Sequence, residues 1–204
     1  DEPTAGIDPI LRERFWTQFR TLRDEGRTLL VSTQYVGEAV SCDLVAVMKD
    51  GVVQQVGEPL ELYNQPANKF VAGFIGSPAM NFAAVTVTEA NGSLIAQNSG
   101  FRIKLPDHTA QRLCGHIGHE VTLGVRPEDL TVAGSADLDQ PCFDAVIEVV
   151  EQLGSEILLD MKVGEGVMVA SVEPTVRVKV RDKLRFAMRP SRLHVFDAKT
   201  EAAI

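Results

Sequence analysis

The fold is decided at one stretch, Phe70-Val71-Ala72-Gly73-Phe74-Ile75-Gly76-Ser77-Pro78-Ala79-Met80-Asn81-Phe82. Its first half has the apolar spacing of a helix, and Ser77-Pro78 breaks that pattern. Before it, helical and strand-like segments alternate. After it, only short strand-like runs recur. We therefore predict two units: an α/β segment over residues 1–76 and an all-β domain over residues 77–204.

The segment before the junction has the pattern of one edge of an α/β domain. A helix is predicted after Pro9 and ends near Gly26, since apolar residues recur there with helical spacing. Thr28 to Thr33 is a short apolar run typical of a buried parallel strand. A second strand, Leu44 to Met48, leads into the hairpin signal Asp50-Gly51.

The segment after the junction has the rhythm of a small barrel or sandwich. Asn91-Gly92 is a second hairpin signal between alternating apolar residues. Further strand-like runs follow at intervals of roughly 10 to 15 residues, which is typical of compact all-β domains. They are Val121 to Val125, Phe143 to Val150, Ile157 to Val163, Val167 to Val172, Lys183 to Met188 and Leu193 to Phe196.

Composition excludes several classes of protein. The formal net charge of −8 argues against a nucleic-acid-binding surface. The 3 cysteines are widely separated and odd in number, which disfavours a disulfide framework and fits a reducing compartment. No signal-peptide pattern and no apolar run of about 20 residues are present, so a link to a membrane is expected to come through a partner.

The first nine residues, Asp1-Glu2-Pro3-Thr4-Ala5-Gly6-Ile7-Asp8-Pro9, carry two adjacent carboxylates followed by a turn. A carboxylate at a strand end can hold Mg²⁺ on a nucleotide, and its neighbour can polarise an attacking water. An ordinary acidic turn is the alternative. The stretch resembles the end of the Walker B strand and the D-loop of ABC transporter ATPases. The resemblance implies that Asp1 binds Mg²⁺, that Glu2 is catalytic, and that Asp8 belongs to the nucleotide-binding dimer interface.

Further matches to that family follow in order along the chain. In the family a histidine that contacts the γ-phosphate side of ATP follows the next strand; here Gln34 stands at that position, within Val31-Ser32-Thr33-Gln34-Tyr35. A glutamine amide can donate a hydrogen bond to a phosphate oxygen but carries no titratable proton. The resemblance implies a catalytic role for Gln34, and a polar cap on a strand end is the alternative. The later matches are Glu38-Ala39, Val47-Met48-Lys49-Asp50-Gly51 and Gln54-Gln55-Val56-Gly57-Glu58-Pro59.

The junction itself is similar to the one in ATPase subunits of maltose-type carbohydrate importers. Two later stretches, Gly124 to Leu130 and Ala187 to Asp197, resemble the ends of the OB-like TOBE domain that follows such ATPases. The resemblance implies an ATP-hydrolysing importer subunit with ATP and Mg²⁺ as cofactors. It also implies a second copy of the subunit, transmembrane permease subunits and a possible regulatory protein as partners, on the cytoplasmic face of the membrane.

The chain contains neither the Walker A pattern G-x-x-x-x-G-K-[ST] nor a Ser-Gly-Gly-Gln signature, and it does not begin with methionine. We therefore expect the C-terminal part of a longer protein, inactive by itself. A noncatalytic module, in which the barrel binds a regulatory protein or a small anion, is the alternative function.

Three other groups of polar residues were considered as binding sites and are interpreted as structural or surface residues. Cys114, His116 and His119 are spaced like zinc ligands but lack a fourth ligand, so no metal is expected there. An acidic loop and a basic alternation are both interpreted as solvated surface, although the alternation would also suit an oxyanion or a regulatory protein. The acidic loop contains Asp129, Asp137 and Asp139, and the alternation contains Arg177, Lys179, Arg181, Lys183 and Arg185.

Overall fold

The first helix begins at Pro9, as predicted, and Asp8 caps it. In this computed structural model, which describes residues 1–134 and 140–204, helix α1 spans Pro9–Asp24. The Asp8 carboxylate accepts hydrogen bonds from the N–H groups of Ile10 and Leu11, both at 2.9 Å. Such N-caps satisfy donors that the helix itself leaves unpaired. Helix α1 buries Trp16, and the chain leaves the helix through Gly26 at φ 84°.

Residues 28–33 do not form the predicted strand. They belong to no ladder, and Leu30 is 99% exposed. The apolar run was correctly noted, but a parallel strand forms only between neighbours that accept its hydrogen bonds. None of the strands in residues 1–134 and 140–204 pairs with this segment. The prediction of a buried strand at Thr28 to Thr33 is therefore wrong for this structure.

The rest of the first unit is a hairpin with two short helices. A 3₁₀ turn at Val36–Ser41 precedes β1 (Val45–Lys49) and β2 (Val52–Gly57). The predicted turn joins them, with Asp50 and Gly51 at φ 51° and 76°. Helices α2 (Pro59–Asn64) and α3 (Lys69–Phe74) cover the hairpin. Their small shared core consists of Val47, Leu62, Val71 and Ile75.

The second unit is the predicted all-β domain. Its first strand, β3 (Asn81–Ala90), begins inside the junction, and Asn91 and Gly92 form the expected turn after it at φ 52° and 71°. A short helix, α4, spans Asp107–Leu113. The strands are β3 (Asn81–Ala90), β4 (Ser93–Gln97), β5 (Arg102–Lys104), β6 (Glu120–Val125), β7 (Leu130–Val132), β8 (Cys142–Gln152), β9 (Ile157–Val163), β10 (Gly166–Val172), β11 (Lys183–Met188) and β12 (His194–Asp197).

These strands form two antiparallel sheets around one core. Within the described residues the sheet orders are β12-β6-β3-β4-β5 and β10-β9-β8-β11-β7. Alternate residues of both sheets face inward and bury the larger hydrophobic cluster, in which Phe143 packs between Phe101 and Phe186. Apolar burial of this kind is the main stabilising term in such a domain. The expected OB-like barrel following an α/β segment is confirmed.

A buried amide joins the two sheets where β3 passes β10. The Asn81 Nδ2 group donates to the carbonyl of Val169 at 2.8 Å, and the Val169 N–H donates to Asn81 Oδ1 at 2.7 Å. The side chain thus replaces one step of a backbone ladder. Asn81 is 8% exposed, so both bonds are shielded from water.

The C-terminal residues return to the first unit. The Ala203 N–H donates to the carbonyl of Ala67 at 3.0 Å, and the Lys69 N–H donates to the carbonyl of Glu201 at 2.9 Å. The boundary between residues 1–76 and 77–204 stays a prediction, with these contacts crossing it. No helix in the described part of the chain is both long enough and apolar enough to span a bilayer.

Candidate functional site

The candidate carboxylates lie beside the segment that carries Gln34. The Ser32 hydroxyl donates a hydrogen bond to Asp1 Oδ1, and the Glu2 N–H donates to the carbonyl of Ser32 at 2.8 Å. Both carboxylate residues are exposed. Glu2 has φ 42°, a left-handed conformation that non-glycine residues adopt rarely and that is frequent at functional sites.

Gln34 lies on a bend directly after this contact. It is exposed, and the next residue is fixed by a bond from the Tyr35 N–H to Thr33 Oγ1 at 3.0 Å. Because Ser32 binds both Asp1 and Glu2, the structure brings these two residues and Gln34 onto adjacent segments. Their assignment to catalysis and metal binding stays a prediction.

Asp8 has an observed structural partner. Its Oδ1 atom accepts both N-terminal hydrogen bonds of α1, and its side chain is exposed at the start of the helix. The cap fixes the direction in which the turn of residues 1–8 enters the helix. The role of Asp8 in a nucleotide-binding interface is a separate matter and stays a prediction.

The donor set at this edge fits Mg²⁺ bound to a nucleotide. Mg²⁺ is commonly held by one or two carboxylates together with substrate phosphate oxygens and waters. Asp1 supplies one exposed carboxylate, and the described residues contain no group of three or more potential metal-binding side chains. Asp1 would therefore hold the ion only together with phosphate oxygens and water.

The three residues spaced like zinc ligands differ in their contacts, and the Nδ1 atom of His116 is buried without a hydrogen-bond partner. The Cys114 thiol is exposed and donates to the carbonyl of Ala110 at 3.4 Å. The His119 N–H donates to the carbonyl of His116 at 3.0 Å, which closes a turn. The three side chains form no metal-binding cluster in the part of the chain that the structure describes.

Asp129 is buried, contrary to the prediction of a solvated acidic loop. Its carboxylate accepts from Arg189 Nη1 at 2.9 Å. Burial raises the pKa of Asp129, against the opposing positive charges of Arg189, Arg192 and Arg126. Sequence periodicity gave no sign of this pair, since the partners are 60 residues apart. Asp137 and Asp139 lie outside the described residues.

The basic alternation is exposed, as predicted for solvated surface. All five cationic side chains are solvent-accessible, and the intervening Val176 and Val178 pack against the core. Lys183 and Arg185 belong to β11, where residues 183–187 pair with β8 and residues 186–188 pair with β7.

The sequence reasoning missed a buried cation at the boundary between the two units. Arg126, 2% exposed, follows β6. Its Nη1 donates to the carbonyl of Ile75 at 2.8 Å and its Nη2 to the carbonyl of Tyr63 at 2.6 Å. The guanidinium also lies 3.5 Å from the centroid of the Tyr63 ring. One side chain of the barrel thus binds the ends of both short helices.

The surroundings of Arg126 show that this joint is strongly dehydrated. Burial lowers the pKa of Arg126 to about 10, although Asp129 opposes the shift. Gly76 lies against it at φ 125°, and a Cβ there would be 2.8 Å from Arg126 Nη1. At the rim of the joint, Arg192 Nη1 donates to Asn64 Oδ1 at 2.8 Å. The available sequence signal was the Arg-Pro-Glu stretch itself, which carried the family resemblance but no stated role.

Comparison with known families assigns the β domain first. Residues 76–130 match the MalK OB fold domain, and residues 123–196 match the TOBE domain. The chain therefore contains the OB and TOBE domains that the sequence and the two sheets indicate.

Comparison with individual proteins finds similarity along the whole chain. It is 40% identical to the trehalose/maltose import ATP-binding protein MalK of Thermococcus litoralis, over all of this chain and 56% of that protein. It is 35% identical to an uncharacterized ABC transporter ATP-binding protein, YurJ, of Bacillus subtilis, over all of this chain and 57% of the relative. For the sulfoquinovosyl glycerol transport ATP-binding protein SmoE of Agrobacterium fabrum the identity is 34%, over all of this chain and 56% of the relative.

The chain is thus similar along its full length to ATP-binding proteins of ABC transporters, among them MalK of Thermococcus litoralis. It spans 56 or 57% of the length of the three relatives described above.

Proposed function

We propose that this chain is the C-terminal part of an ATP-hydrolysing subunit of an ABC importer for carbohydrates. The proposal rests chiefly on one geometric observation: Ser32 binds Asp1 and Glu2 two residues before Gln34. Homology over the full chain to import ATP-binding proteins supports the same conclusion.

In the proposed mechanism each residue at this edge has a separate task. Asp1 would hold Mg²⁺, which would neutralise charge on the phosphates, and Glu2 would polarise the water that attacks the γ-phosphate. The Gln34 amide donates a hydrogen bond to a γ-phosphate oxygen. Asp8 shapes the interface with a second subunit. Phosphoryl transfer depends mainly on such positioning and on charge stabilisation, so small displacements of these groups would cost rate.

The proposed partners follow from the importer assignment. A second copy of the subunit would face the Asp8 turn, and permease subunits would hold the protein at the cytoplasmic side of the membrane. A regulatory protein would bind residues 77–204. The chain itself supplies the ATPase edge and the barrel, and the transported sugar would be selected by the other components.

The test uses the complete reading frame that contains this chain. We expect measurable MgATP hydrolysis, and we expect Glu2→Gln to reduce turnover at least about 100-fold because it removes the group that polarises water. Gln34→His should change turnover. Glu25→Gln, an exposed carboxylate beyond α1 that pairs with Arg27 at 3.6 Å, is the control and should leave turnover unchanged.

The 204-residue chain alone should give no MgATP signal by titration calorimetry, since it has no Walker A loop to hold phosphates. Clear binding of MgATP by the isolated chain would contradict the proposal that ATP binding requires a Walker A loop outside these 204 residues. Unchanged turnover in Gln34→His would refute the placement of that residue.

The exposed basic alternation over residues 177–185 supports a second function, that of a noncatalytic module that binds an anion or a regulatory protein. Its five cations stand out in a chain of net charge −8. If the complete protein binds a partner through residues 77–204 but hydrolyses no ATP, this function replaces the first.

A further inference from the structure

A buried polar cluster lies directly behind the Asp1, Glu2 and Gln34 edge. Glu38 is 5% exposed, and Thr4 is completely buried. Arg12 and Trp16 approach the same carboxylate from α1. The cluster therefore draws one residue from the N-terminal turn, two from α1 and one from the 3₁₀ turn after Gln34.

Arg12 connects Glu38 to the residue that follows Gln34. Its Nε atom is 3.4 Å from Glu38 Oε1, and its guanidinium carbon is 4.5 Å from the centroid of the Tyr35 ring. The Glu38 N–H donates to the carbonyl of Tyr35 at 2.9 Å. Displacement of Glu38 would therefore move both the backbone and the ring of Tyr35.

The polar atoms in this cluster are complementary but not closely paired. Thr4 Oγ1, Arg12 Nε and Trp16 Nε1 are buried donors without a hydrogen-bond acceptor, and both carboxylate oxygens of Glu38 are buried without a donor. Burial raises the pKa of Glu38, but the polar groups of Thr33, Thr4 and Trp16 and the charge of Arg12 outweigh it and hold the pKa below its ordinary value. A buried, charged carboxylate is stabilised when neighbouring donors form hydrogen bonds to it. The folded chain would therefore be stabilised if these unpaired donors moved to hydrogen-bonding distance of Glu38.

We propose that Glu38 is a positioning residue that links the N-terminal turn to the Gln34 segment, so that Glu2 and Gln34 face the same phosphate. This inference rests on the proposed function. Thr4 is two residues from Glu2, and Tyr35, whose carbonyl accepts from the Glu38 N–H, follows Gln34, so Glu38 lies between the two sides of the site. Tightening of the cluster when nucleotide binds would give the two segments one common position.

The first test measures the link in the 204-residue chain without nucleotide. Glu38→Gln keeps the shape of the side chain and removes its charge. We expect the amide of Glu2, which donates to Ser32, and the amide of Ala5 to exchange with solvent at least about 10-fold faster by NMR. Amides of the β1–β2 hairpin should be unchanged. Glu13→Gln on α1, which removes an exposed ion pair with Arg20, is the matched control.

Unchanged exchange at Glu2 and Ala5, or an equal increase throughout the hairpin, would overturn the link. The second pattern would show that Glu38 only stabilises the fold as a whole.

The second test measures catalysis in the complete protein. Glu38→Gln should lower kcat at least about 10-fold and leave the KM for ATP within about twofold, because the residue orients groups that act in the transition state. Glu13→Gln should match the unsubstituted protein. Faster exchange with unchanged kcat would overturn the positioning role.

Failure of the proposed function has a different signature. In that case the unsubstituted complete protein shows no turnover, which removes the catalytic consequence of Glu38. The exchange experiment still decides whether Glu38 links the two segments.

Discussion

Arg126→Met tests whether one buried cation holds the two units together. Methionine has a similar length and can fill the space, so the substitution removes mainly the charge and the donors. It leaves the carbonyls of Ile75 and Tyr63, at 2.8 and 2.6 Å from the guanidinium, without their donors. It also removes the guanidinium from the Tyr63 ring.

The expected loss is the balance of opposing terms. Two hydrogen bonds from a charged donor contribute about 2 kcal/mol each, and the stacked ring adds about 1 kcal/mol. Against them stands the net cost of keeping the cation charged in the joint: the shift of the Arg126 pKa to about 10, in which burial outweighs the charge of Asp129, corresponds to about 3 kcal/mol. The difference predicts that Arg126→Met lowers the free energy of unfolding by about 2 kcal/mol.

The assay is urea unfolding of the 204-residue chain followed by circular dichroism, with the slope against urea compared between variants. Arg126→Lys should recover only part of the loss, since an ammonium cannot reproduce the two-pronged geometry. Arg192→Met removes one exposed bond between the same units and should cost less than about 1 kcal/mol. An Arg126→Met variant as stable as the unsubstituted chain would refute the reasoning.

Two further predictions concern a half-buried histidine and a buried asparagine. Burial, together with the charges of Arg126 and Arg192, lowers the pKa of His194 to about 4. Because His194 in the unfolded chain binds a proton near pH 6.5, the free energy of unfolding should fall by up to about 3 kcal/mol as the pH drops from 6.5 to 4. In His194→Gln, the free energy of unfolding measured against pH should lack this part of the decrease. Asn81→Leu leaves the N–H and carbonyl of Val169 unpaired and should cost about 2 to 4 kcal/mol in urea unfolding; a loss below about 1 kcal/mol would contradict the joint between the sheets.

Local signals in the sequence were sufficient where local chemistry determines the structure. Asp50-Gly51 and Asn91-Gly92 predicted two hairpin turns, and both have the positive φ angles that such turns require. Pro9 and Gly26 marked the two ends of α1. The period of two in the second half predicted the inward and outward faces of the β domain.

The Thr28 to Thr33 prediction failed for a nonlocal reason. An apolar run has a preference for burial, but a buried strand also needs a neighbouring backbone that pairs with it. Leu30 is exposed because no described segment covers it. The composition of this stretch therefore indicated a preference for burial, but it did not indicate whether a neighbouring strand is present to pair with it.

The Asp1, Glu2 and Gln34 edge was predictable as a set of residues but not as a geometry. The motif selected the side chains, whereas their proximity depends on two contacts made by Ser32, to which the sequence reasoning assigned no role. A serine near a strand end is common and carries no distinctive pattern. Contacts of this kind become visible only when the two segments are placed side by side.

Arg126 shows why the periodicity of hydrophobic residues in a sequence does not predict a buried polar contact between two units. A prediction from that periodicity assigns charged residues to the surface, and it treats Gly76 and Arg126 as members of two separate motifs 50 positions apart. In the structure these motifs meet: a Cβ at position 76 would lie 2.8 Å from Arg126 Nη1. The dehydrated guanidinium of Arg126 must approach the backbone at position 76 closely. That approach requires both the arginine after β6 and a glycine at position 76. A charged residue inside a recognised motif is thus better evidence of a joint between units than its polarity alone suggests.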